Sequence, residues 1–212
     1  NNPRCAVLGY GSWATAIVKT LTVNHHHVDW LVLNDEILQS LHDRSRNSKY
    51  LPWCYIDKEF MTPSNDINAV VRDADMVFLA MPSAFLQKFL KPLTESLENK
   101  IVVSAVKGII PGDYLTIVEH MNRYYDVPME NLAVVTGPSH AEEVGQCQLS
   151  YLTVASESST TAERVCGVLA NDFFRCSLSN DVLGVEAAAI MKNVYALAVG
   201  IAVGLRYGDN FL

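Results

Sequence analysis

Runs dominated by apolar residues recur along the first two thirds of the chain, at residues 4–8, 28–33, 76–81, 101–106 and 132–135. Each is short and bounded by turn-forming or polar residues, the signature of a strand buried on both faces. Between them, residues 13–21, 37–44, 66–73, 84–97 and 114–125 carry the spacing of helices. Strand and helix in alternation predict an α/β fold, a doubly wound parallel sheet with helices on both faces. In such a sheet a ligand is expected outside the carboxyl ends of the strands.

After residue 148 the pattern changes. Residues 149–154 read as a strand, 160–169 as a helix and 173–178 as a further strand. Asp181, a good N-cap, then opens a long helix reaching about Leu205, whose Ala, Val, Leu and Ile content leaves few polar positions. The division expected is a dinucleotide-type domain over 1–179 and the first helix of an all-α substrate domain over 180–212. A helix apolar all round is a buried one. We therefore expect partner helices beyond this chain, with a homodimer open as another way to cover it. Its most apolar stretch, 194–205, is about half the length of a membrane span, so no membrane partner is expected.

Charge narrows the partners. Lys and Arg total 16 against 23 Asp and Glu, a net charge of −7, with no basic run. That is a poor electrostatic match for nucleic acid or anionic lipid. Any phosphate must be held by a local site. The 5 cysteines are scattered without a C-x-x-C pair, which argues against a disulfide framework or zinc knuckle and for a reducing, cytoplasmic setting. The chain enters a strand almost at once, leaving no room for a signal peptide. His25-His26-His27 reads as a solvated turn rather than a metal site, because adjacent side chains in a loop diverge. No metal is expected.

The chemistry begins at Gly9-Tyr10-Gly11-Ser12-Trp13-Ala14, a G-x-G-x-x-A directly after a strand and before a helix. Gly9 allows the tight turn, Gly11 lets the backbone approach a pyrophosphate, and the helix N-terminus faces its charge. Past the second strand stands Asp35, near where a carboxylate accepts the ribose hydroxyls of NAD, and no arginine accompanies it. The expectation is NAD, with NADP less favoured. Lys107, after the fourth of these apolar runs and followed by Gly108, stands at the strand's carboxyl edge. Gly137-Pro138-Ser139 follows the next run, and Ser139 to Glu142 has the S-x-x-E form of a capping box. Lys192 lies between Ala187-Ala188-Ala189-Ile190-Met191 and Val194-Tyr195-Ala196-Leu197-Ala198. A lysine buried there would have a lowered pKa suited to proton transfer, with Asn193 beside it.

These pieces occur together in one family. The chain resembles bacterial-type NAD(P)-dependent glycerol-3-phosphate dehydrogenase across nearly its whole length. The matching segments are the glycine motif through Ala16, Asn47-Ser48-Lys49-Tyr50-Leu51-Pro52, Ala80-Met81-Pro82-Ser83, Ser104-Ala105-Val106-Lys107-Gly108, Gly137-Pro138-Ser139-His140-Ala141-Glu142-Glu143, and Lys192-Asn193-Val194 through Tyr207-Gly208-Asp209-Asn210. The resemblance implies reversible hydride transfer between NADH and dihydroxyacetone phosphate, giving sn-glycerol 3-phosphate. It makes Lys192 the acid/base and Lys107 a second active-site lysine touching cofactor and substrate. It assigns Gly137, Ser139 and Asn193 to substrate, and Ser12, Trp13, Tyr50, Pro82 and Ala141 to cofactor. The family often has arginines where this chain has Leu33 and Asn34, which agrees with NAD. Its phosphate-binding Arg-Asn pair and a further catalytic Asp fall beyond Leu212, so these residues alone are expected to be an incomplete enzyme. Two alternatives stand beside this reading: a β-hydroxyacid-type dehydrogenase of similar architecture, and a non-catalytic NAD(H)-binding module.

Overall fold

The computed structural model describes residues 2–208 and 211. Asp209 and Asn210, the last residues of the resemblance, lie outside that range. The apolar runs form one eight-stranded sheet in the order β3-β2-β1-β4-β5-β6-β7-β8. Strands β1 (Cys5–Leu8), β2 (Val28–Leu31), β4 (Met76–Leu79) and β5 (Ile101–Ser104) are buried at every position. They pair in parallel in matched register, with Cys5 opposite both Val28 and Met76. Helices α1 (Ser12–Val23), α2 (Asp35–Arg44), α3 (Ile67–Arg72), α4 (Ser83–Leu90) and α5 (Ile117–Tyr125) connect them. Side chains on the two sheet faces fall into two separate apolar cores, one around Val7, Trp30 and Phe78, the other around Leu8, Val77 and Leu79. The expected doubly wound sheet is thus present. Strand order reverses between β1 and β4, which opens a crevice at their carboxyl ends.

The structure departs from the expectation at two strands and one helix. β3 (Met61–Ser64) was not foreseen, because its Pro63 argues against a central strand; it is an edge strand, where a missing N–H is tolerated. β6 (Leu132–Thr136) runs parallel to β5, but β7 (Ser150–Ala155) pairs antiparallel to β6, with Val135 opposite Val154. β8 (Phe174–Ser179) follows β7 in parallel. The sheet is therefore mixed, since apolar content reveals a strand but not its direction. The helix expected over 84–97 stops at Leu90, two residues before Pro92, which has no N–H to continue it.

The last helix stands where expected, and this chain covers little of it. Asp181 caps α8 (Val182–Gly204) as expected, accepting from the Gly184 N–H at 2.8 Å. The helix is not buried. Among its described residues only Val182, Glu186, Ala189 and Ala202 are, and the first three lie on the stripe that meets the sheet. Leu197 is 67% exposed and Ile201 56%. The helix is also longer than its most apolar stretch, and by length and composition could cross a membrane. Composition reports that a helix needs covering, not which neighbour covers it.

Candidate active site

At the reversal of strand order the chain turns from β1 into α1 through Gly9, whose φ is +123°. A Cβ there would run into the Ala80 carbonyl oxygen, so the turn requires glycine twice over. Nothing stands within 4 Å of where a Gly11 Cβ would be, which leaves space for a ligand against the backbone. Gly11 is the N-cap of α1, no side chain caps it, and the first turn carries no acidic residue. Free amides at a positive helix end, beside open space, fit a pyrophosphate.

The adjoining cleft has a volume of about 720 Å³. Gly11, Tyr50 and Pro82 line it, three of the residues expected to contact cofactor. Tyr10, Leu33, Phe85 and Phe89 complete an apolar wall, with the Tyr10 and Phe89 rings stacked at 6.0 Å. Asp35 is not in this lining. It is exposed at the first turn of α2, one residue beyond Asn34, whose side chain caps that helix through the Ile37 N–H. The residue at the cleft after β2 is Leu33.

A second cleft of about 620 Å³ lies between the β6 end and α8. Gly137, Ser139 and Lys192 line it, as expected of a substrate site, together with His140 and Glu143, for which no site role was expected. The helix α6 (Ala141–Gly145) that opens here is capped differently from the expectation. His140 is the N-cap and no side chain bonds the first turn, while the buried Ser139 hydroxyl donates to the Gly137 carbonyl at 3.4 Å. The capping box does not form, and the hydroxyl sits at the cleft. Ala141 packs half-buried against the core, and Asn193 is exposed outside the lining.

Lys107 is in the lining of neither cleft. Its Nζ lies 6.0 Å from the centroid of the Trp13 ring, at the start of α1. Burial, and then the positive charge of Lys192, push its pKa below the ordinary lysine value. Lys192 itself is exposed, not enclosed by its helix, so the argument from a buried lysine does not hold for the described residues.

Other residues carry the scaffold unannounced. Glu186 is buried on α8 and accepts from the Ile117 N–H at 2.8 Å, docking α8 onto the N-terminus of α5. A lone Glu in an apolar helix was the available signal. His26 is buried with its Nδ1 unpartnered, so the histidine turn is not fully solvated. No cluster of metal-ligating residues occurs among the described residues.

Residues 4–162 match the family model of the NAD-dependent glycerol-3-phosphate dehydrogenase N-terminus, and residues 181–212 match the model of its C-terminus. The glycerol-3-phosphate dehydrogenase (NAD(P)+) of Halalkalibacterium halodurans is 34% identical over 207 residues, covering 97% of this chain and 59% of the relative. The solved glycerol-3-phosphate dehydrogenase of Coxiella burnetii superposes with a TM-score of 0.87 at 26% identity, over 99% of this chain and 63% of that one. That of Plasmodium falciparum, at 21% identity, shares the fold with a TM-score of 0.91, over 99% of this chain and 61% of that one. The chain spans less than two thirds of the length of these relatives. With a family model covering most of its residues and a relative 34% identical over nearly all of them, the chain belongs to the NAD-dependent glycerol-3-phosphate dehydrogenase family.

Proposed function

We propose that this chain is the dinucleotide-binding part, with the catalytic lysine, of a cytoplasmic enzyme that interconverts dihydroxyacetone phosphate and sn-glycerol 3-phosphate. The observation that carries the reading is Lys192 lining one cleft together with Gly137 and Ser139, with Lys107 set against the Trp13 ring at the start of the glycine-turn helix. Residues 1–179 form the dinucleotide domain and 180–212 begin the substrate domain. The exposed apolar face of α8 is covered in the full-length protein by further helices, within the length the relatives carry beyond the matched segment.

The glycine turn, Ser12 and Trp13 hold the dinucleotide, with Tyr50 and Pro82 beside its adenosine. When bound, the reduced nicotinamide supplies the hydride. The cleft of Gly137 and Ser139 orients the ketone. As the carbonyl carbon becomes tetrahedral, negative charge grows on its oxygen, and the Lys192 ammonium stabilises that charge and donates the proton. In the reverse direction the Lys192 amine takes the proton from the alcohol. Lys107 adds a second positive charge, its pKa lowered first by burial and then by the charge of Lys192. The substrate phosphate takes a bidentate clamp from the remainder of the full-length protein.

NAD is the preferred cofactor. Leu33 in the lining offers nothing to a 2′-phosphate, and the carboxylate of Asp35 just beyond it would repel one. The deciding experiment is oxidation of NADH with dihydroxyacetone phosphate by the full-length protein. Turnover with this substrate, with a lower KM for NADH than for NADPH, is the expected outcome. Binding of NADH without turnover of any ketone would instead favour a non-catalytic binding module.

A further inference from the structure

The glycine turn is held from beneath by three side chains. The carbonyl of Gly9 accepts from Trp30 Nε1 at 2.6 Å, that of Tyr10 from Asn47 Nδ2 at 2.9 Å, and that of Gly11 from Thr15 Oγ1 at 2.9 Å. All three side chains are fully buried. In a planar trans peptide the C=O and the following N–H point opposite ways. Tying three successive carbonyls inward therefore aims the amides of Tyr10, Gly11 and Ser12 away from the core, toward the side where a phosphate would sit.

Asn47 does more than the other two. Its amide also donates to Thr15 Oγ1 at 2.9 Å, and its Oδ1 accepts from the backbone N–H groups of Lys49 at 3.2 Å and Tyr50 at 3.1 Å. Two donors and two acceptor sites are all an asparagine amide has, and all are used. One buried side chain thus joins the glycine turn to the backbone of Tyr50, on the wall of the same cleft. Residues 47 and 10 are far apart in sequence, and both described hydrogen bonds that join the glycine-turn segment to residues 47–50 are Asn47's own.

We infer that Asn47 is a positioning residue for the dinucleotide, holding the phosphate-facing turn and the adenosine-side wall as one rigid unit. This rests on the reading that the cleft takes a dinucleotide. Asn47 touches neither the reacting atoms nor the second cleft, so its loss falls on cofactor affinity and not on the chemical step.

The test uses the full-length protein and its Asn47→Asp and Asn47→Ala variants. NADH and ADP-ribose affinities are read by fluorescence, with kcat and both KM values measured alongside. Losing the buried hydrogen bonds that hold two walls of one ligand site should raise Kd for NADH and for ADP-ribose by about tenfold. The kcat at saturating NADH and the KM for dihydroxyacetone phosphate should stay within about threefold, too small a change to mark a lost catalytic group. An unchanged Kd, or a loss falling equally on kcat, overturns the inference, since a general structural defect would not separate the two. If both variants fail to fold, Thr15→Val decides: it is isosteric, removes one bond to Asn47 and one to Gly11, and should weaken NADH with kcat retained. A wild-type protein that binds no NADH would sink this inference together with the functional reading. One that binds NADH but ignores dihydroxyacetone phosphate would sink the reading of the reaction alone, because the binding arms still report on Asn47.

Discussion

The two clefts differ in how they are built. The dinucleotide cleft rests on the carboxyl ends of central strands, and its turn is fixed by buried side chains from β2, α1 and the loop at Asn47. The second cleft has one wall from β6 and α6 and the other from α8, a helix buried along only one stripe. The first is finished by the sheet itself. The second has a wall, carrying Lys192, whose placement depends on how α8 is held, here by Glu186 on the α5 N-terminus. A binding site can be complete within one sheet, whereas a reacting site at the join of two domains needs both of them.

The largest test of that division is Lys192→Ala in the full-length enzyme. Loss of the proton donor proposed at Lys192 should lower kcat by roughly 10²- to 10⁴-fold while NADH affinity is kept. Loss of NADH binding instead would mean that the clefts are not separable. The mirror experiment is Gly9→Ala, which forces a Cβ against the Ala80 carbonyl at a φ of +123°. Backbone strain of about 1–3 kcal/mol is expected, seen as a lower melting temperature and weakened NADH binding. Wild-type melting would show that the turn can relax.

A smaller change sharpens the cofactor side. Leu33→Arg places a cation at the lining where a 2′-phosphate would lie, and should shift the ratio of NADPH to NADH affinity by about tenfold toward NADPH. No shift would move the adenosine ribose away from Leu33. On the other side, Lys192→Met removes the charge that opposes Lys107. The Lys107 amine should then titrate at higher pH, followed by its rate of acylation, though burial will still hold it below the ordinary lysine value.

The smallest effect concerns the joint. Burial pushes the Glu186 carboxyl above its ordinary value of 4.5, against amide hydrogen bonds that act the other way. An acid with a raised folded-state pKa stabilises most below its unfolded value and loses that contribution as pH rises through the folded one. The melting temperature of the wild type relative to Glu186→Gln should therefore fall as pH rises above 4.5. A difference that is flat with pH would mean that Glu186 is not desolvated at this joint.

Much of the dinucleotide side could be read without coordinates. The strands β1, β4 and β5 announce themselves because both faces are covered, and Gly9 and Gly11 because backbone geometry admits nothing larger at the first and nothing should obstruct the second. Lys107 was legible from its place after a strand. Leu33 was not, because β2 ends sooner than its apolar residues do and the chain reaches the cleft before Asp35. Asn47 and Trp30 were not either: a polar loop residue and an aromatic strand residue carry no mark of the carbonyl they hold many residues away. For Ser139 the local pattern suggested a cap, but the helix starts one residue later and leaves the hydroxyl at the cleft.

What the sequence determined by itself was the set of elements and the identity of the residues at their ends, because periodicity and steric limits on the backbone act over a few neighbours. Only the tertiary structure decided that β7 reverses, that Glu186 anchors α8, that Asn47 joins two segments of one cleft, and that Lys107 and Lys192 share a field. Each of these is a contact between segments far apart in the chain, set by packing and electrostatics in space, which no local pattern encodes.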